Sequence, residues 1–305
     1  DSHLACIGPW ERTDLLIEED FTEEIGRVYG LDKIESVVPE TVALTELNAR
    51  HYYSEQIRDV LIDLGFSEVI TSSFRKKDKI RLQNALASDK EYMRSNLAKG
   101  IADVLDKNAG FTDLLGTTDT RIFEIGTVFH KNDTGVTEHV SFSFGVRTKA
   151  SGYNPKDDAV VQEAMTALEA KLNTTITRST DKAVVEINFT ELFESLPAPT
   201  SYDAVEVAQE ISYKPFSLYP AMTRDIAMWV TEGTGVEEVE QVLNDVAGDL
   251  RVRTTHVDEF TKDGRTSLAF RLVFQAMDKT LTDDEVNTQM DKVYQSAQDN
   301  GWETR

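Results

Sequence analysis

Residues 224–246 read RDIAMWVTEGTGVEEVEQVLNDV, and a change of period inside this stretch decides the fold of the C-terminal part of the chain. Ile226, Met228 and Val230 alternate, the period of a strand with one buried face. Thr234 with Glu237 then offers a capping box, and Val236, Val239, Leu243 and Val246 recur at helical spacing. Leu250 to Phe260 and Ser267 to Gln275 are two further strand-like runs, joined through the turn signal Lys262-Asp263-Gly264-Arg265. Thr282 with Glu285 caps a second helix whose face is Val286, Met290, Val293 and Ala297; Gly301 ends it and Trp302 starts a short last strand. The order β-α-β-β-α-β predicts a ferredoxin-like domain over residues 211–305. Its helices cover one sheet face and leave the other free for a ligand.

Upstream, residues 41–200 mix both periods. Tyr53, Ile57, Val60, Leu61 and Leu64 form one helical face ending at Gly65; Leu97, Ile101, Val104 and Leu105 form a second, and Val160, Ala164, Leu168 and Leu172 a third. Val140, Phe142, Phe144 and Val146 alternate, and Ile122 to Phe129 and Val184 to Phe189 are strand-like. Strands separated by helices in this way predict an α+β domain around a largely antiparallel sheet. Pro197-Ala198-Pro199-Thr200-Ser201 is the expected linker. Residues 1–40 supply a loop and one helix, expected to start at the capping-box pattern Asp20-Phe21-Thr22-Glu23, to carry Phe21, Ile25 and Val28 on one face and to stop at Gly30. They read as the end of an upstream domain.

The chain has 305 residues, enough for two or three cores, and a formal net charge of -22. Such a charge repels polyanions, so any RNA binding must rest on local basic clusters and shape. Apolar runs fall short of the roughly 20 residues that cross a bilayer. Cys6 is the single cysteine, which agrees with a reducing compartment, and a cytoplasmic protein is expected. The histidines show no metal spacing, and no nucleophile elbow, Walker loop or zinc pattern occurs.

Asp20, Glu23 and Glu24 share a face at i, i+3 and i+4, and Asp14 lies within reach on the preceding loop. Clustered carboxylates suit a hard cation such as Mg²⁺. From spacing alone, acidic residues in a first helical turn are more often partners of the helix dipole and solvated charges. Arg121 and Glu124 lie three positions apart on a strand-like run, and no glycine-rich helix start carrying an arginine exists. Pairing of Arg121 with Glu124 across a sheet is the structural reading.

Trp10-Glu11-Arg12-Thr13-Asp14 with Arg27-Val28-Tyr29-Gly30-Leu31-Asp32, then Leu64-Gly65-Phe66-Ser67-Glu68-Val69-Ile70-Thr71, Met93-Arg94-Ser95-Asn96-Leu97 and Arg121-Ile122-Phe123-Glu124-Ile125-Gly126, resemble successive parts of the bacterial phenylalanyl-tRNA synthetase β subunit. Phe216-Ser217-Leu218-Tyr219-Pro220 with Arg224-Asp225, and Leu281-Thr282-Asp283-Asp284-Glu285-Val286-Asn287, resemble that family's anticodon-binding domain. The resemblance implies a class II synthetase-like antiparallel sheet module without catalytic residues, followed by a ferredoxin-fold anticodon-binding domain. It further implies Mg²⁺ at Asp14, Asp20, Glu23 and Glu24, an α subunit that binds ATP and holds the active site, an α₂β₂ tetramer, and tRNA(Phe) as the RNA partner. Tyr219 as a stacking platform and Arg224, Arg251, Arg253, Lys262 and Arg265 as cationic contacts are the candidate RNA-binding residues. Arg224 and Asp225 could instead pair with one another. Two other readings are an acidic adaptor that uses the ferredoxin-like domain for protein binding and a stand-alone amino-acid activating paralogue.

Overall fold

The computed structural model describes residues 5–40, 47–148, 152–202 and 212–305. Backbone contacts divide the chain into two units, Asp1–Glu46 and Leu47–Arg305. In the first, helix α1 spans Glu18–Tyr29 and starts earlier than the sequence pattern indicates. Asp20 sits inside the first turn, and its carboxylate reaches back to accept the amides of Leu16 (2.8 Å) and Ile17 (3.0 Å). No residue of α1 is buried, and Ile25 and Val28 of the expected apolar face are exposed.

The second unit opens with α2 (Ala49–Asp63), β1 (Ser67–Glu68), β2 (Phe74–Arg75), β3 (Ile80–Arg81), β4 (Tyr92–Met93), α3 (Ala98–Asn108) and the single turn α4 (Thr112–Leu115). There follow β5 (Thr120–Asn132), β6 (Gly135–Arg147), α5 (Asp157–Leu172), β7 (Ser179–Asp181), β8 (Val184–Asn188) and α6 (Phe189–Ser195). The main sheet runs β1-β5-β6-β8-β7, antiparallel except where β1 joins β5. Phe123, Phe142, Phe144 and Ile187 pack with Ile57 and Leu61 of α2 and Met165 and Leu168 of α5. Ile122 and Val184 pack with Ile101 and Leu105 of α3 in a second cluster. Both sheet faces are therefore covered, which is why the alternate residues Ser141 and Ser143 of β6 are buried too. Their hydroxyls donate to the carbonyls of Ile187 (3.1 Å) and Val185 (2.6 Å), so the polar atoms cost little to bury.

The C-terminal elements are β9 (Met222–Val230), α7 (Val236–Val246), β10 (Arg251–Lys262), β11 (Arg265–Phe274), α8 (Asp283–Asp299) and β12 (Glu303–Thr304). The sheet order β10-β11-β9-β12, antiparallel throughout, is the ferredoxin arrangement expected from the sequence. Ile226, Met228, Leu268, Phe270 and Leu272 form a core with Val239 and Leu243 of α7 and Val286, Met290 and Val293 of α8. The hairpin turn holds Asp263 at φ 52° and Gly264 at φ 76°, as a type I′ turn needs. One expected cap moves: α7 is preceded by Gly235, while the hydroxyl of Thr234 bonds that of Thr231 at 2.7 Å.

Candidate nucleic-acid interface

Both helices pack on one face of the ferredoxin sheet because Ile226, Met228 and Val230 of β9 and Leu268, Phe270 and Leu272 of β11 all point that way. Their neighbours must point to the other face. Strand pairing lays that face out in rows. Phe260, Ser267, Trp229 and Glu303 form one, Asp258, Ala269 and Ala227 the next, and Thr255, Arg271 and Asp225 the third. Arg253, Val273 and Thr223 form the fourth.

The two ends of the face differ. At the far end Arg271 donates to both oxygens of Asp225 at 2.7 Å and to Asp113 of α4 at 3.0 Å. These bonds, those donated to Asp225 first, raise the pKa of the Arg271 guanidinium above its ordinary value and hold that of the Asp225 carboxyl below its own. Arg253 donates to the Leu114 carbonyl at 3.0 Å, and Gly116, at φ 72°, leaves the space its guanidinium fills. The α4 turn thus occupies the arginine end.

At the near end the Trp229 and Phe260 rings lie 6.2 Å apart at an interplanar angle of 56°. Arg265 stands over the Trp229 ring at 5.2 Å and pairs with Glu303 at 2.6 Å. Trp229 and Phe260 come from strands separated by β11, and strands lie roughly 4.8 Å apart. The rings therefore lean together above Ser267, which is only 3% exposed although it sits on the helix-free face. Sequence reading missed both aromatics. Trp229 alternates with the core residues of β9, a pattern that marks it as facing away from the helices.

The remaining candidates scatter. Arg224 pairs with Asp283 of α8 at 2.5 Å rather than with its neighbour Asp225, which belongs to Arg271. Arg251 keeps a buried Nε without a partner, and Lys262 is exposed at the hairpin tip. The Tyr219 carbonyl accepts from Gln275 at 2.6 Å and ties the segment before β9 to the end of β11.

Two of the four carboxylates of the first unit meet at a guanidinium rather than at a shared open position. Asp14 and Glu24 each receive Arg12 at 2.6 Å, and Glu24 also pairs with Arg27. The hydrogen bond from Arg12 pulls the Asp14 carboxyl down to about 2, and Arg12 with Arg27 holds Glu24 below its usual range. Asp20 serves backbone amides, and Glu23 is exposed. Among the described residues no three side chains of metal-ligating type come together. A cation does not fit this arrangement, because guanidinium groups already neutralise two of its four intended ligands.

Within the large sheet the expected pairing of Arg121 with Glu124 does not form. Arg121 bonds Asp119 at 2.7 Å and the Leu64 carbonyl at 2.8 Å. Glu124, adjacent to core residue Phe123, instead takes Arg94 at 2.6 Å and the Thr71 hydroxyl at 2.6 Å, and both charged groups are fully buried. His130 and His139 are half-buried. Their rings stack at 4.9 Å across the β5–β6 hairpin, and burial, then the neighbouring His130, lowers the His139 value.

The fold thus defines an α+β protein in which an antiparallel sheet module carries a ferredoxin-fold domain with one helix-free face. Residues 217–305 match the family described as ferredoxin-fold anticodon binding domain, and residues 34–183 match the phenylalanyl tRNA synthetase beta chain CLM domain. The chain belongs to the phenylalanyl-tRNA synthetase β-chain family. It is similar to the phenylalanine–tRNA ligase beta subunits of Staphylococcus epidermidis (26% identity, 96% of this chain, 43% of the relative) and Dechloromonas aromatica (25%, 93% and 42%). That of Solibacter usitatus is 24% identical over 99% of this chain and 43% of its own length. The chain spans less than half the length of these relatives.

Proposed function

We propose that this chain is the C-terminal, non-catalytic part of a phenylalanine–tRNA ligase β subunit, in which the ferredoxin-fold domain binds the anticodon region of tRNA(Phe). The observation that carries the reading is the helix-free sheet face, with Trp229, Phe260 and Arg265 at its unoccupied end. The larger sheet module contacts an α subunit within an α₂β₂ tetramer, and ATP is bound by that subunit. In this chain Arg94, Arg121 and Arg147, on or beside the synthetase-like strands, spend donors on Glu124, Asp119, Asp106 and backbone carbonyls. A nucleoside triphosphate would find no free arginine pair there to neutralise its charge. This speaks against a self-contained amino-acid activating enzyme. Mg²⁺ enters the reading only by displacing Arg12 from Asp14 and Glu24. No described helix is long and apolar enough to cross a membrane.

The test compares tRNA(Phe) binding by the assembled enzyme with and without residues 212–305 at two salt concentrations. A large loss of affinity on truncation, with a smaller salt slope, is expected. Unchanged affinity in a folded tetramer would leave the domain to protein contacts, as the adaptor reading requires.

A further inference from the structure

The two ends of the helix-free face are not equivalent, and the difference points to how RNA is held. Arg253 and Arg271, at the far end of the face, are committed to the Leu114 carbonyl, Asp113 and Asp225. The net charge of -22 gives no general attraction for a polyanion to replace them. What remains open is apolar and planar: Phe260 is 45% exposed, and its ring and that of Trp229 form a tilted pair. Beside them lies the row of Asp258, Ala269 and Ala227, in which the two alanine side chains end at Cβ and the Asp258 carboxylate stands at the β10 edge. Rows on one face are roughly 7 Å apart along the strands. The aromatic pair therefore stands as a wall at one side of a shallow floor about 13 Å across, with the Arg271–Asp225 row as the opposite side. A flat, uncharged ring fits such a floor, whereas a phosphate would find no free cation on it.

We propose that Trp229 and Phe260 form a stacking site for one unpaired nucleobase, with Arg265 holding the Trp229 ring and turning its free N–H groups outward. The inference rests on the tRNA-binding reading above and assigns its contact to residues. Affinity then comes from π-surface rather than from counterion release, since every base presents a stacking face. The arginines of the fourth and third rows contribute to docking on α4 and not to RNA.

The test uses the full chain in its assembled enzyme and a tRNA(Phe) carrying a fluorescent purine analogue in the anticodon loop. Phe260→Ser, at an exposed position where folding is least at risk, and Trp229→Leu are each expected to weaken binding roughly tenfold, with the salt slope unchanged. Both should abolish the quench of the analogue, and Trp229→Phe should restore it. If truncation at residue 212 abolishes binding while both variants keep full affinity and quench, the domain grips RNA elsewhere and the stacking site is wrong. If truncation itself has no effect, the tRNA reading fails instead. Release of the partner subunit by Phe260→Ser, with the quench intact, would make the aromatic pair a protein contact and overturn the proposal.

Discussion

Arg94 shows what a single residue contributes to the larger module. Its guanidinium donates to Glu124, to the Thr71 carbonyl at 3.1 Å and to the Thr127 carbonyl at 2.9 Å, and Gly126 has no side chain because that guanidinium fills the space. Removing one member of a buried pair leaves the other charged, without its partner and without water. Arg94→Ala should therefore cost about 3–5 kcal/mol in urea unfolding. A loss below about 1 kcal/mol would mean that water reaches Glu124. Arg12 plays the opposite role at the surface. Because it already satisfies Asp14 and Glu24, Arg12→Ala should tighten Mg²⁺ binding in a calorimetric titration. No change in heat would show that these carboxylates do not gather around a cation even when freed. That Arg94 is buried and Arg12 only half-buried was not legible in the sequence, where both are merely arginines near acidic residues.

At the scale of the element, α8 is the clearest case of a helix written locally. Thr282 accepts the Glu285 amide, and the Glu285 carboxylate accepts the Thr282 amide at 2.9 Å, a reciprocal capping box expected from the sequence. Thr282→Ala should destabilise the domain by about 1 kcal/mol, measured as a shift in the denaturant midpoint. Lys279, then the Thr282 amide and hydroxyl, hold the Glu285 carboxyl down to about 2. The folded value lies below the unfolded one, so the stabilisation is complete above the ordinary glutamate range, near roughly 4.3, and fades as pH falls toward the folded value. Glu285→Gln should flatten the stability profile in that window and leave it parallel to the parent at neutral pH. Helix α1 departs from its local signal for a physical reason. A carboxylate three residues into a helix reaches the amides ahead of it as well as one at the cap position does, so Asp20 fits both registers and the chain before it decides.

Across the whole molecule, charge and docking set the behaviour. The excess of 54 acidic over 32 basic residues makes the folded state repel itself, so added salt should raise the melting temperature, a trend that scanning calorimetry reads directly. The five-stranded and four-stranded sheets of residues 47–305 have separate cores and meet where α4 holds Arg253 and Arg271. Arg253→Ala combined with Asp113→Ala should split a shared thermal transition into two; a single unchanged transition would show that other contacts couple the cores. The sequence by itself determined the ferredoxin order, the type I′ turn at Asp263-Gly264 and the helix-bearing face, because period, turn chemistry and caps act over a few residues. The motif strings from Leu64 to Asn287 likewise carried the family. Only the tertiary structure decided who partners whom. Arg224 turned to Asp283, Asp225 to Arg271 and Glu124 to Arg94, since an ion pair depends on which strands lie side by side. The meeting of Trp229 with Phe260 has the same cause: they lie far apart in the chain and become neighbours only when β11 pairs between their strands.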